Sequence, residues 1–219
     1  MITDERTSAY IDSLSGGNTP FLDELEVKAL NDNVPIIRKS MQSLLKYVLK
    51  SNQPKAILEV GTAIGFSAIL MAEYSDSDAH ITTIEKYEKR IPLAKENFKA
   101  SGYEDKITFI TKDAADALKE LVDSGAEFDL IFMDAAKGQY MNFYDDVMAL
   151  LSDGGLLISD NVLQDGDIIQ SRFAVTRRNR TIHSRMREYL KVLSSDERLT
   201  TTILPVGDGV TLSVKRSKK

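Results

Sequence analysis

Residues 56–67 read AILEVGTAIGFS. A mostly apolar run, AILEV, passes directly into Gly61, and a second glycine follows at position 65 before Phe66 and Ser67. A short apolar run bounded by glycine suits a buried strand, and glycine permits a tight turn and close backbone approach at the start of a helix. The stretch therefore predicts strand, turn and helix in that order. It also sets a problem of charge, because Glu59 stands within the strand.

The pattern recurs along the chain. Further candidate strands are ITTIE (81–85), ITFIT (107–111), LIFMD (130–134) and LLISD (156–160). Between them lie stretches of helical spacing, such as 87–100, 114–122 and 140–151. Strand and helix alternating in this way predict an α/β fold, a doubly wound and mostly parallel sheet with helices on both faces. TTILPV and VTLSV, separated by Gly207-Asp208-Gly209, read as an antiparallel C-terminal hairpin, which brings the sheet to seven strands. Residues 1–53 look helical, with Pro20 and Pro35 as breaks. No repeat or linker divides the chain, so a single domain over 1–219 is expected: a helical segment, 1–53, and an α/β core, 54–219.

Composition removes several classes of chemistry. The 219 residues include no cysteine, which excludes disulfides, thiolate nucleophiles and sulfur-ligated zinc. His80 and His183 are the only histidines, too few for a His-rich metal site. MITDERTSAYIDSL has no apolar core of signal-peptide length, and no run approaches a membrane span. A cytoplasmic protein with no membrane association is expected. The net charge of −5 argues against indiscriminate nucleic-acid binding. Yet 168–187 contains no acid and six arginines: Arg172, Arg177, Arg178, Arg180, Arg185 and Arg187.

Open sheets of this kind bind ligands beyond the carboxyl ends of their strands. The glycine loop there is GxxxG preceded by Glu59, unlike the GxGxxG of dinucleotide enzymes, and Glu59 would favour a cationic ligand over a pyrophosphate. Glu85 ends the second strand, where an acid commonly hydrogen-bonds ribose hydroxyls. The bland reading is an acid favoured at a helix start. Asp113 suits a helix cap, a role compatible with an adenine contact in which Ala114 offers its N–H. Asp134 ends the fourth strand, with Lys137 beyond it, and Asp160-Asn161 end the fifth. Each acid could cap its own helix. If the strands are neighbours, however, two carboxylates and an amide converge, and a hard divalent cation such as Mg²⁺ or Ca²⁺ would relieve their repulsion.

Together ILEVGTAIGFS, TIEKYEKR, FMDAAKGQY and ISDNVL resemble the cation-dependent class I O-methyltransferases, the group that includes catechol and caffeoyl-CoA O-methyltransferases. The resemblance implies a Rossmann-like methyltransferase fold, S-adenosylmethionine as donor and a Mg²⁺ held by Asp134, Asp160 and Asn161. It implies cofactor contacts from Ile37, Glu59, Gly61, Ser67, Glu85, Ala114 and Asp134, and a catalytic role for Asp134 and Lys137, the lysine as base or as fixed charge. It also implies a homodimer. A sulfonium donor with a ribose and no phosphate agrees with acids at both Glu59 and Glu85.

The acceptor would present two adjacent oxygens, as catechols and 5-hydroxyuridine do. QSRFAVTRRNRTIHSRMREYL, VPIIRKS and PVGDGV are most similar to the bacterial branch that methylates 5-hydroxyuridine at the tRNA wobble position, giving 5-methoxyuridine. On that reading the arginines neutralise phosphates of the anticodon loop. On the bland one they are a solvated face, with Arg185 paired to Glu188. A small catechol-like or caffeoyl-type acceptor is the alternative.

Overall fold

The computed structural model describes residues 4–217, except Lys137 and the side chain of Asp165. Its strands are β1 (Ala56–Val60), β2 (His80–Ile84), β3 (Ile107–Ile110), β4 (Phe128–Met133), β5 (Leu151–Ser159), β6 (Leu199–Leu204) and β7 (Val210–Lys215). The helices are α1 (Glu5–Ser13), α2 (Pro20–Asn31), α3 (Lys39–Asn52), α4 (Phe66–Tyr74), α5 (Ile91–Ser101), α6 (Ala114–Asp123), α7 (Tyr140–Leu150) and α8 (Arg180–Ser195). The seven strands form one sheet in the order β3-β2-β1-β4-β5-β7-β6. The first five are parallel, and β7 runs antiparallel to both β5 and β6.

Strand alternation explains why both faces are covered. Ile57, Leu130, Phe132, Leu156 and Ile158 pack with residues of α2, α3, α4 and α5. Their neighbours Leu58, Val60, Ile131, Met133 and Leu157 pack with α6, α7 and α8 on the other side. Side chains at successive strand positions point to opposite faces, so a strand clothed on both sides must be apolar throughout. Exceptions include the buried hydroxyls of Thr83 and Ser159 and the carboxyl of Glu59, which occupies the face shared by Ile57.

Several boundaries differ from the sequence expectation, most by only one or two residues. The helix expected from 87 begins at Ile91, because Pro92 fits only a first turn, where its missing N–H is not needed. Strand β5 starts at Leu151 and not 156: Leu151 pairs with Phe128 and Leu156 with Leu130, so Ser152-Asp153-Gly154-Gly155 form an irregularity within the strand. The expected breaks at Pro20 and Pro35 fall where the helical segment is interrupted, Pro20 as the first residue of α2 and Pro35 between α2 and α3.

After β3 the chain returns across β1 to β4, so the strand order reverses between β1 and β4. That reversal opens a crevice at the carboxyl ends of the two strands. Among the described residues, no helix is long and apolar enough to cross a membrane.

Candidate active site

A cavity of about 790 Å³ occupies this crevice. Of the residues expected to hold a cofactor, Ile37, Gly61, Ser67, Glu85, Ala114 and Asp134 line it. Asp160 and Asn161, the other expected metal ligands, line it too. Glu59 lies behind the wall, and Lys137 falls outside the described residues.

Gly61 turns β1 into the loop at φ +109, and a Cβ there would overlap the carbonyl of Asp134. The close approach that demands glycine is thus to the protein's own backbone, between the ends of β1 and β4. Asp134 is set in place by its amide, which donates to the Val60 carbonyl at 3.0 Å. Gly65, at φ +90, caps α4 and receives the Phe98 ring, while Asn97 on α5 donates to the Ile64 carbonyl at 2.8 Å. The loop is held from both sides before any ligand enters.

Glu85 anchors the neighbouring strand end. One oxygen accepts from the Ala63 amide at 2.9 Å; the other accepts from Lys86 at 2.9 Å and Tyr87 at 2.8 Å. These bonds fix the carboxylate at the rim of the cavity and shape the glycine loop. Asp113 is the expected cap of α6, accepting from the Ala115 amide at 2.9 Å, and Lys86 reaches its second oxygen at 2.8 Å. The Lys86 ammonium and then the Ala115 amide hold the Asp113 carboxyl below its ordinary range.

The ends of β4 and β5 meet. The Asn161 amide nitrogen is 2.9 Å from Asp134 Oδ1, and the Asn161 backbone N–H donates to Asp160 Oδ1 at 2.7 Å. Asn161 adopts the left-handed conformation, φ 61, which asparagine tolerates better than other side-chain-bearing residues. Tyr140, fully buried on α7, donates to the carbonyls of Met133 at 3.1 Å and Asp160 at 3.0 Å, tying the two strand ends together. Burial first, then the Asp134 and Asp160 charges, raise its phenol well above the ordinary value, so it remains a donor. Ser159 and the buried Tyr189 of α8 share a hydrogen bond of 2.6 Å directly behind.

Among the described residues no group of three or more His, Cys, Asp or Glu gathers into a metal cluster. The expected set, however, is two carboxylates and an amide. It offers oxygen only, and rotation of the Asn161 amide exchanges nitrogen for oxygen toward Asp134. These donors fit a hard cation.

Glu59 is wholly buried and accepts from the Ser67 and Thr83 hydroxyls, with Thr83 also 2.5 Å from Thr62. Burial pushes its pKa up to about 8; the two hydroxyl bonds oppose this, and Asp134 and Glu85 reinforce it. A consequence for stability follows from the sign. The folded value exceeds the ordinary 4.5, so the native state holds the extra proton and its advantage fades as pH rises from about 4.5 through about 8. Melting curves of Glu59→Gln from pH 5 to 9 are expected to lose this part of the wild-type decline, leaving the variant relatively more stable at the alkaline end. Parallel curves would refute the assignment.

The six arginines lie elsewhere. None lines the cavity. Arg172, Arg177 and Arg178 are exposed ahead of α8, and Arg180 stands over the exposed Phe173 ring at 5.6 Å. Arg185 donates to the Gly138 carbonyl at 2.9 Å instead of pairing with Glu188, linking α8 to the loop after Asp134. Tyr140 and the Thr62–Thr83 bond were not anticipated, because an aromatic on an amphipathic helix and threonines near strand ends read as ordinary packing.

Comparison with known proteins adds to the geometry. The family model described as O-methyltransferase matches residues 12–216. Caffeoyl-CoA O-methyltransferase of Populus kitakamiensis is 34% identical over 175 residues, 77% of this chain and 73% of the relative. Catechol O-methyltransferase of Niastella koreensis is 36% identical over 118 residues, 53% of each chain. Methyltransferase PaMTH1 of Podospora anserina, solved with S-adenosylhomocysteine, superposes with a TM-score of 0.86 at 30% identity, covering 98% of this chain and 95% of that one.

Proposed function

The chain belongs to the O-methyltransferase family, and from that premise we propose that it moves the methyl group of S-adenosylmethionine to a hydroxyl that has a second oxygen beside it. As a member, it is an S-adenosylmethionine-dependent O-methyltransferase. The observation that carries the finer reading is the meeting of Asp134, Asp160 and Asn161 at one edge of the cavity.

In this reading Glu85 receives the ribose hydroxyls, the Ala114 N–H meets the adenine edge, and Ile37, Gly61 and Ser67 form the walls. Glu59, behind Ser67, orients that hydroxyl. Asp134, Asp160 and Asn161 would hold Mg²⁺, which when bound lowers the pKa of the acceptor hydroxyl and orients its oxygen for in-line attack. Lys137 takes the proton or remains a fixed positive charge beside the oxyanion. Both adjacent oxygens of the acceptor would face the Asp134–Asn161 edge, which favours a chelating acceptor over an isolated alcohol.

The relatives favour a small phenolic acceptor, catechol-like or caffeoyl-type. A second reading, 5-hydroxyuridine in a tRNA anticodon loop, is supported by one specific observation: arginines exposed around Phe173, with no acid from 168 to 187. Splayed bases and a phosphate backbone suit such a surface. Pairing of two copies belongs to the same proposal, with the exposed Tyr10, Ile11 and Leu14 as the face available for it.

Purified protein assayed with catechol, caffeoyl-CoA and 5-hydroxyuridine-containing tRNA, with nucleoside mass spectrometry of the last, decides between the acceptors. Transfer to none of them would defeat the vicinal-oxygen reading. Replacing Arg177, Arg178 and Arg180 together with alanine is expected to leave catechol turnover unchanged. If tRNA is the substrate, its methylation falls and the salt slope drops by roughly three, about one per phosphate contact removed. Equal loss on both acceptors would assign these arginines to the fold.

A further inference from the structure

Two stretches that line the cavity come from outside the parallel strand ends: residues 35–38, leading into α3, and the turn 207–208 between β6 and β7. They are joined. Arg38 Nη2 lies 2.5 Å from Asp208 Oδ1, and a Cβ on Gly207 would lie 3.8 Å from both Arg38 Cδ and Ser40 Oγ. The Asp208 side chain is only 14% exposed against 45% for Arg38, so one partner is largely withdrawn from water. Exposed ion pairs contribute little; a partly enclosed pair bridging distant segments is a different case.

The turn is also fastened to the proposed metal edge. The Val162 N–H donates to the Gly209 carbonyl at 2.9 Å, and the Leu163 N–H to the Asp208 carbonyl at 2.9 Å. These are the residues directly after Asn161. Gly209, at φ +87, lies so close to Leu163 that a Cβ would collide with its side chain. A continuous path therefore runs from Arg38 through Asp208 to the Asp160-Asn161 segment. On the other side, the Ile37 carbonyl beside Arg38 accepts from buried Gln42 at 2.9 Å, which fixes that end to α3.

We propose that the Arg38–Asp208 pair is a clasp between the N-terminal helices and the C-terminal hairpin that positions Asp160-Asn161 and the acceptor seated against them. Arg38 is thus a positioning residue for the transfer. The acceptor part rests on the methyl-transfer reading of the cavity; the coupling between the segments does not.

Hydrogen–deuterium exchange on the full chain tests the coupling without any acceptor. Arg38→Ala is expected to speed exchange of the 160–163 amides about tenfold while leaving β1 and β2 unchanged. The charge-exchanged variant, Arg38→Asp with Asp208→Arg, should restore protection. With the methylated acceptor identified above, Arg38→Ala should raise its KM severalfold and lower kcat, with S-adenosylmethionine affinity by titration calorimetry held. Unchanged exchange at 160–163, or acceleration spread evenly over the sheet with no rescue by the exchange of charges, overturns the clasp. Local acceleration without a change in acceptor KM overturns the positioning role.

Discussion

Asp160→Ala is expected to reduce kcat/KM about a thousandfold or more, since positioning a divalent ion at a reacting oxygen supplies several kcal/mol, and about 4 kcal/mol corresponds to that factor. Two effects combine at this residue. The charge that would bind the ion is removed, and the Asn161 amide loses the acceptor it has at 2.7 Å. Asp160→Asn separates them, because it keeps a carbonyl oxygen for that amide and discards only the charge. Both variants should be inactive if the metal is essential, and Asp160→Asn should melt close to wild type. Removal of divalent ions from the wild-type protein by chelation, followed by Mg²⁺ addition, should reproduce the loss and its reversal. Full turnover in the presence of chelator would eliminate the metal-dependent reading outright.

Gly61→Ala is expected to lower stability by about 3 kcal/mol, combining an unfavourable positive φ with overlap against packed backbone. For a chain of this size that is a fall in Tm of about 10 °C. The added methyl meets the Asp134 carbonyl, so relief of the clash moves β4's end and with it a proposed ligand of both donor and metal. S-adenosylmethionine affinity should therefore fall along with stability. Gly102→Ala is the control: its φ of +76 is also left-handed, but nothing lies within 4 Å of the added atom, so strain acts alone at about 1 kcal/mol. If the two variants melt alike, the contact with Asp134 is not what requires glycine at 61.

Much of the architecture was legible because parallel strands buried on both faces must be apolar for their whole length. That is how AILEV and LIFMD disclosed themselves, and why Glu59 inside the first and Asp134 at the end of the second stood out. The start of β5 was hidden, since Ser152-Asp153-Gly154-Gly155 has the chemistry of a turn while its backbone continues in the strand. The rim residues were equally visible: Glu85, Asp134, Asp160 and Asn161 all reach the cavity. What a linear chain could not disclose was depth. The sequence points Glu59 toward a cation, yet the side chain is sealed behind Ser67 and Thr83. Tyr140, which fastens β4 to β5, and Arg38, which meets a turn near the other terminus, depend on contacts that no spacing rule encodes.

The position of β7 has a consequence for biogenesis. This strand is made after all the others, yet it sits inside the sheet, between β5 and β6. Until Val210–Lys215 has been synthesised, a nascent polypeptide already holding β1 to β5 presents the unpaired edge of β5, with Leu156, Leu157 and Ile158 in it. Such an edge invites pairing with another chain. Premature termination before residue 210 should therefore yield aggregates bound by chaperones, while translation past 215 lets the strand pair with β5 and removes that exposed edge.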